Sequence, residues 1–253
     1  MGPVGTIRDE AVCIRHWDWS ETSQTVSVFT REHGVLRGLA KGSKREKTDF
    51  SGGLEILTRG EVMALTKPTR ALATLTSWNL RETFPRCRSD LIRHHAGVYA
   101  IDLVHHAILE DDPHPNLYDE LVVCLRGLGG PDSTADPAAL VLSFQWSVLT
   151  EIGQAPELAE DSRTGKPLAR VEVFGFDPQT GGVTADPGPG LASVWRVRAE
   201  TIELLGSLAK GENIAVSQSP ALRRANSLLA AYLRERLEAE PHSMRPLLDA
   251  LDR

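Results

Sequence analysis

The sequence predicts an α+β protein in which a small β-barrel comes first and an α-helical domain follows. Short segments rich in β-branched and aromatic residues, separated by turn residues, fill about the first eighty positions. Beyond Pro85, apolar residues recur at spacings of three and four, which is the helical period. The chain has 253 residues, 41% of them hydrophobic and 25% charged, so it is long enough for two folded domains.

Five strands are expected in the N-terminal domain, which we place at residues 1–81. Thr25–Thr30 reads TVSVFT and alternates, and the following His33-Gly34 step suits a tight hairpin because glycine readily adopts positive φ. The predicted strands are Glu10–Trp19, Thr25–Thr30, Val35–Ala40, Leu54–Thr66 and Ala71–Leu80. Five short strands favour a small closed barrel, and the OB-fold is the nucleic-acid-binding example of that architecture.

Residues 82–253 are expected to form an α-helical domain. The predicted helices are Leu91–Leu109, Asn116–Leu128, Ala138–Ile152, Trp195–Leu208, Pro220–Leu237 and Ser243–Leu251. Pro113 and Pro115 separate the first two, and Asn116 is a candidate N-cap for the second. A segment rich in glycine and proline, at about 155–193, is expected to be a small irregular insert between the helices.

Charge is distributed unevenly along the chain. The net charge of −6 would by itself discourage a nucleic-acid function. Residues 1–95, however, hold 15 Lys/Arg against 11 Asp/Glu, whereas residues 96–253 hold 13 against 23. The predicted barrel therefore lies in the basic part of the chain.

A run of cations between two predicted strands is the candidate DNA-binding site. Its members are Arg37, Lys41, Lys44, Arg45 and Lys47. Gly38 and Gly42 would let the backbone approach a phosphate chain, and Phe50 or Trp17 would stack on bases beside it. The alternative interpretation of such a run is an ordinary solvated loop.

Signatures of catalysis or metal binding are absent from the sequence. Three widely spaced cysteines form no Cys-x-x-Cys pair, and the His94-His95 and His105-His106 pairs lie too far apart on one predicted helix to share an ion. There is no phosphate-binding loop, dinucleotide fingerprint or nucleophile elbow. We therefore expect no cofactor, metal or catalytic residues, although a Cys–His dyad assembled in space remains open.

Targeting signals are also lacking. No apolar run is long enough to span a membrane, and the N-terminus has neither a basic segment nor an apolar one typical of a secretory signal. A cytoplasmic location without membrane contact is expected.

Three segments, taken in chain order, carry a resemblance to a known family. Gly34–Leu57 reads GVLRGLAKGSKREKTDFSGGLEIL, with a Lys-Gly followed by basic residues and then an aromatic residue. Tyr99–Leu125 reads YAIDLVHHAILEDDPHPNLYDELVVCL, a helix, an acidic proline break and a second helix. His242–Leu251 reads HSMRPLLDAL. Together they resemble the bacterial recombination mediator RecO, over most of the chain.

One departure from that family concerns zinc. Many RecO-like proteins carry a four-cysteine zinc module around a Phe-Asp-Pro…Gly-Gly segment, which here is Phe176–Gly182. The flanking segments, Asp161–Gly165 and Thr184–Pro187, contain no cysteine. Since structural zinc favours thiolate ligands, the insert is expected to be zinc-finger-like but metal-free.

The resemblance implies a mediator in DNA repair rather than an enzyme. RecO-like proteins bind single- and double-stranded DNA, anneal complementary strands, and help load RecA onto DNA coated with single-strand-binding protein. The implied partners are RecR and single-strand-binding protein, with RecF and RecA as further candidates, and the implied location is the bacterial nucleoid. A non-DNA-binding interaction subunit and a generic OB-fold nucleic-acid-binding protein remain as alternatives.

Overall fold

The N-terminal strands close into a five-stranded barrel. A computed structural model describes residues 5–45, 48–50, 53–67, 72–190, 193–212 and 219–252 of the chain. The strands are β1 (Gly5–Asp18), β2 (Gln24–Thr30), β3 (Gly34–Ala40), β4 (Arg59–Thr66) and β5 (Ala73–Glu82). They are ordered β1-β2-β3-β5-β4, with β3 and β5 parallel and the other pairs antiparallel. The predicted OB-fold barrel is confirmed.

A single long strand allows the barrel to close. β1 pairs with β4 from Gly5 to Val12 and with β2 from Ala11 to Asp18. The register with β2 shifts between Cys13 and Arg15, and such a bulge bends the strand so that it can serve both neighbours. Inward residues of all five strands, among them the fully buried Trp78, then fill the interior.

The segment before β4 differs from the prediction, because β4 begins at Arg59 rather than Leu54. Leu54 and Leu57 are nevertheless buried, and Leu57 has a φ of 56°, which is incompatible with a strand. The two leucines of the run 54–57 are thus buried in an irregular segment. A short apolar run in a sequence does not by itself distinguish such a segment from a strand.

Three helices follow the barrel: α1 (Arg86–Ser89), α2 (Leu91–Ala107) and α3 (Pro115–Gly129). The carboxylate of Asp90 caps α2 by accepting from the Arg93 amide at 3.1 Å. The N-cap of α3 is His114, with Pro115 in the first turn, so the expected cap at Asn116 is wrong. Proline suits that first position because its missing N–H would have no helical partner.

The chain divides into two compact units, residues 1–134 and 135–253, here called unit 1 and unit 2. Unit 1 joins the barrel to the first helices by ion pairs, such as Arg15 to Asp102 at 2.7 Å and Arg31 to Asp119 at 2.8 Å. Strands give way to helices between Glu82 and Arg86. The expected domain boundary at residues 81/82 stays a prediction.

Unit 2 contains four helices and a three-stranded sheet among its described residues. The helices are α4 (Pro137–Glu151), α5 (Ala199–Ala209), α6 (Pro220–Leu237) and α7 (Met244–Leu251). The strands are β6 (Val173–Asp177), β7 (Gly182–Thr184) and β8 (Trp195–Arg198), ordered β7-β6-β8. The region expected to be irregular, at about 155–193, thus contains two of the three strands of an antiparallel sheet.

The residues Trp195–Arg198 form a strand, which corrects the helix predicted to begin at Trp195. Val197 is buried while Arg196 and Arg198 are exposed, and this alternation is the period of a strand. Pairing of Trp195 with Phe176 of β6 places β8 at the edge of the sheet.

A buried carboxylate joins the two cysteine-free segments on either side of Phe176–Gly182. Asp161 accepts hydrogen bonds from the Thr184 hydroxyl at 2.8 Å and the Ala185 amide at 3.1 Å. It also accepts from the amides of Arg163 and Thr164, at 3.0 and 2.9 Å. The Thr184 hydroxyl, together with these amides, lowers the pKa of Asp161 to about 2 despite its burial.

Asp161→Asn is expected to loosen the insert. The asparagine amide group would face N–H donors, so the free energy of unfolding of unit 2 should fall by about 1–3 kcal/mol. Because the folded pKa of Asp161 is depressed, its stabilisation is present above the usual carboxyl pKa of 3.8 and is lost as the pH falls through about 2. In this variant, hydrogen exchange measured by mass spectrometry should rise in residues 157–186. For the wild-type chain, a chelator should leave the melting temperature unchanged if the insert holds no metal.

The matched control is Asp249→Asn, which removes a carboxylate of the same unit that is not buried. Its exchange pattern should match that of the wild type. Equal exchange in the two variants would contradict the role given to Asp161.

Candidate nucleic-acid interface

A short basic turn, residues 41–45, is fixed on the barrel by one buried amide side chain. Gln24 is 1% exposed. Its Oε1 accepts from the Ser43 hydroxyl at 3.0 Å and from the Leu54 amide at 3.1 Å, and its Nε2 donates to the Leu54 carbonyl at 3.1 Å. Gln24 therefore connects the start of β2, the basic turn and the segment before β4.

Backbone contacts hold the basic turn against the turn between β1 and β2. The Gly42 amide donates to the Ser23 hydroxyl, and the Lys44 amide donates to the Thr22 carbonyl, each at 3.1 Å. Gly42 has a φ of 69°, a conformation that favours glycine. The basic turn is thus held in place through the side chain of Ser43 and through the backbone amides of Gly42 and Lys44.

Three cations of the predicted site project from this turn: Lys41, Lys44 and Arg45 are all exposed. Lys44 forms an ion pair with Asp18 at the end of β1. Arg37 lies within β3, four residues before Lys41, and its guanidinium is ion-paired with Glu110 at 3.1 Å. The structure brings Lys41, Lys44 and Arg45 together, whereas Arg37 is engaged elsewhere in unit 1. Lys47 lies outside the described residues.

Phe50, which was expected to stack on bases, is buried in the structure. Phe50 is 5% exposed and belongs to the apolar core of the barrel, so its ring is not available to a base. An aromatic ring in a basic loop is stabilised either by stacking on a base or by burial in the core. Here the ring is buried in the barrel interior.

Two exposed indoles lie on either side of Asp18 in the chain. Trp17, which the sequence offered as an alternative to Phe50, is 46% exposed at the end of β1. Trp19, which sequence reasoning missed, is 65% exposed in the turn that follows. Both are next to Asp18, the ion-pair partner of Lys44. The signal that could have found Trp19 is a large aromatic residue at the start of the polar run Ser20–Gln24.

Other arginines near the end of the barrel are engaged with the protein backbone. Arg86 donates to the Ser133 carbonyl, and Arg88 donates to the Ile56 carbonyl at 3.3 Å. Arg93 is 6% exposed and donates to the carbonyls of Gly127 and Leu128 at the end of α3. Of these three side chains, Arg93 is the buried one, and Arg88 remains exposed.

The three cysteines are buried, and burial shifts the pKa values of their thiols and of His105. Burial raises the pKa of the Cys87 thiol to about 11 and also raises the pKa values of Cys13 and Cys124. Burial, reinforced by the charge of Arg15, lowers the pKa of His105 to about 4.

In the part of the chain that the structure describes, no three His, Cys, Asp or Glu residues are grouped as metal ligands would be. None of its helices is long and apolar enough to cross a membrane.

Family models match almost the whole chain. Residues 3–84 match the model described as "Recombination protein O N terminal", and residues 88–245 match "Recombination protein O C terminal".

Three curated relatives are each named DNA repair protein RecO. The Salinibacter ruber protein is 35% identical over 256 residues, covering 100% of this chain and 96% of its own. The Rhodopirellula baltica protein is 32% identical over 63% of this chain and 58% of its own length. The Anaeromyxobacter dehalogenans protein is 28% identical over 89% of each chain.

Proposed function

Because this chain belongs to the recombination protein O family and so has a role in DNA repair and recombination, we propose that it binds single- and double-stranded DNA and anneals complementary strands. The observation that carries the proposal is the basic turn, an exposed cationic turn held on an OB-fold barrel by Gln24. Its Lys44 pairs with Asp18, which has an exposed tryptophan on each side in the chain. Cations that track a phosphate backbone and aromatic rings that stack on bases are the two components of sequence-independent single-strand binding.

The arrangement suggests how each cation acts. Lys41 and Arg45 project from a fixed turn, so little backbone order has to be gained on binding. Lys44 is already paired with Asp18, and a phosphate must share or displace that carboxylate. Lys41 and Arg45 are therefore expected to contribute more affinity than Lys44.

Annealing follows from phosphate neutralisation. Two complementary strands repel one another through their backbones, and a cationic surface lowers that repulsion while counterions are released. Base pairing then selects the sequence, since phosphate contacts position a strand without specifying it. No bond is made or broken in this process, so the proposed activity needs neither catalytic residues nor a cofactor.

The proposed partners follow from the family. In this proposal the chain acts with RecR on DNA coated with single-strand-binding protein and assists the loading of RecA, with RecF as a further partner. An annealing assay on DNA with and without bound single-strand-binding protein is the direct test of this part.

The test of the DNA site is the variant Lys41→Ala/Lys44→Ala/Arg45→Ala. Each phosphate contact on single-stranded DNA contributes about −0.7 to the slope of log affinity against log salt, so losing three contacts should flatten the slope by about 2. Annealing should slow in parallel, and affinity should fall alike for all sequences. Asp18→Asn should instead raise the affinity for DNA, because Lys44 loses its ion pair with Asp18 and becomes available to a phosphate.

The control variant removes the same charge from unit 2, at the exposed residues Lys166, Arg170 and Lys210. Substitution of all three by alanine should leave the slope close to that of the wild type. If both triple variants bind and anneal as the wild type does, the basic turn is not the DNA site.

A further inference from the structure

A groove in unit 2 concentrates arginines over an apolar floor. It lies between β8 and the first half of α6 and has a volume of about 680 Å³. Its floor includes Trp195, Val197 and Leu228. Its arginines are Arg196, Arg198, Arg223 and Arg224. We call this feature the arginine groove.

This concentration of charge stands out against its surroundings. Residues 135–253 carry 12 Lys/Arg and 16 Asp/Glu, so a third of the cations of an acidic unit line one groove. The acidic residue lining the groove is Asp252. Such a local excess of positive charge is complementary to an anionic ligand.

Two of the four arginines are engaged and two are available. Arg196 forms a two-point ion pair with Asp186, at 2.9 and 2.7 Å, and Arg224 pairs with Glu200. Arg198 and Arg223 are exposed, and within the described residues neither forms an ion pair. Planar guanidinium groups are well suited to bind phosphate oxygens through paired N–H donors.

The groove also contains a rigid aromatic surface. The ring of Trp195 stacks on that of Phe176, with centroids 5.8 Å apart and planes inclined by 8°. Phe176 is itself fixed edge-to-face by Tyr232, at 5.2 Å, and both of these rings are buried. Trp195 is only partly buried, and it lines the groove.

We propose that the arginine groove binds a nucleotide unit of single-stranded nucleic acid, with a base on Trp195 and the adjoining phosphate between Arg198 and Arg223. A flat indole immobilised by a second ring suits a planar base, and stacking of that kind tolerates any sequence. The inference rests on the proposed function, because it adds a second contact to a chain proposed to bind DNA. An acidic peptide with an apolar side chain is the competing occupant, which the experiment excludes or establishes.

The experiment measures binding of the full chain to fluorescein-labelled oligothymidylate across a salt series. Arg198→Ala/Arg223→Ala should weaken binding several-fold and flatten the salt slope by about 0.7, since the one phosphate held between the two arginines is no longer neutralised. Arg198→Lys/Arg223→Lys should restore most of the slope, because the charge is kept. Quenching of tryptophan fluorescence by the oligonucleotide should be smaller in Trp195→Phe, which retains a ring for stacking on Phe176.

The control is Arg170→Ala/Arg245→Ala, which removes two exposed arginines of unit 2 that lie outside the groove and should leave the slope unchanged. The inference is overturned if the groove variant has the slope and affinity of the wild type while the basic-turn variant is impaired. It is also overturned if a labelled acidic peptide binds through Arg198 and Arg223 while DNA binding does not depend on them. Absence of any DNA binding by the wild-type chain would instead refute the proposed function itself.

Discussion

Gly34→Ala is expected to lower the free energy of unfolding of unit 1 by about 3–5 kcal/mol, a loss that combines backbone strain with a steric clash. Gly34 has a φ of 69°, in the left-handed region, where a residue with a Cβ costs about 1–2 kcal/mol. A Cβ on Gly34 would also lie 2.6 Å from the backbone nitrogen of Asp112. Because the obstacle is backbone, relief requires either the hairpin or the segment before α3 to move.

The closeness of these two segments is part of the fold. The Asp111 amide donates to the Val35 carbonyl at 3.3 Å, and Val35 forms a parallel bridge with Glu110. Chemical denaturation followed by hydrogen exchange should locate the loss of protection in β2, β3 and residues 108–114.

Gly153→Ala separates strain from clash. Gly153 has a φ of 68°, close to that of Gly34, but no atom lies within 4 Å of the position that an alanine Cβ would take there. Its expected cost is therefore the strain alone, about 1–2 kcal/mol. If Gly34→Ala and Gly153→Ala lower the free energy of unfolding equally, the close approach of Asp112 to the hairpin does not add to the cost at Gly34.

Gln24→Leu should have the second largest effect and should change both stability and DNA binding. It removes the side-chain partners of the Leu54 amide, the Leu54 carbonyl and the Ser43 hydroxyl, all of them contacts to buried groups. Leaving a buried polar group without a partner costs about 1–3 kcal/mol, so a total loss of about 3 kcal/mol is expected. The basic turn should also lose its fixed position, which should weaken DNA binding without any change in net charge.

Two further variants test whether Gln24 has this double role in stability and DNA binding. Ser43→Ala removes one hydrogen bond of the Gln24 side chain and should cost about 1 kcal/mol. Gln179→Leu makes the same substitution at an exposed site and should leave both properties unchanged. If Gln24→Leu weakens stability but binds DNA with the wild-type affinity and salt slope, the order of the basic turn does not matter for binding.

Part of the candidate site was predictable because it depends on local sequence. The cations Lys41, Lys44 and Arg45 are close in sequence and project from one turn, as their spacing and the neighbouring Gly42 indicated. Phe50 follows a few positions later in the same run, yet its ring is buried in the barrel core. Whether an aromatic side chain faces solvent or the core depends on strands distant in sequence, and residue type does not reveal it.

The clamp on the basic turn was not predictable for the same reason. Gln24 precedes the predicted second strand by one residue and has no sequence neighbour that marks it as buried. Its partners, Ser43 and Leu54, are 19 and 30 residues away. A buried amide becomes recognisable only when the groups it satisfies are brought around it.

The sequence by itself determined the order and type of most elements, because strand and helix periods and the hairpin at Gly34 are properties of neighbouring residues. Only the tertiary structure decided that β3 pairs with β5 to close the barrel, that Phe50 is buried, and that Trp195 belongs to a strand and lies beside α6. Each of these depends on contacts between segments far apart in the chain. Such contacts are selected by packing and by satisfaction of buried polar groups, which local patterns do not encode.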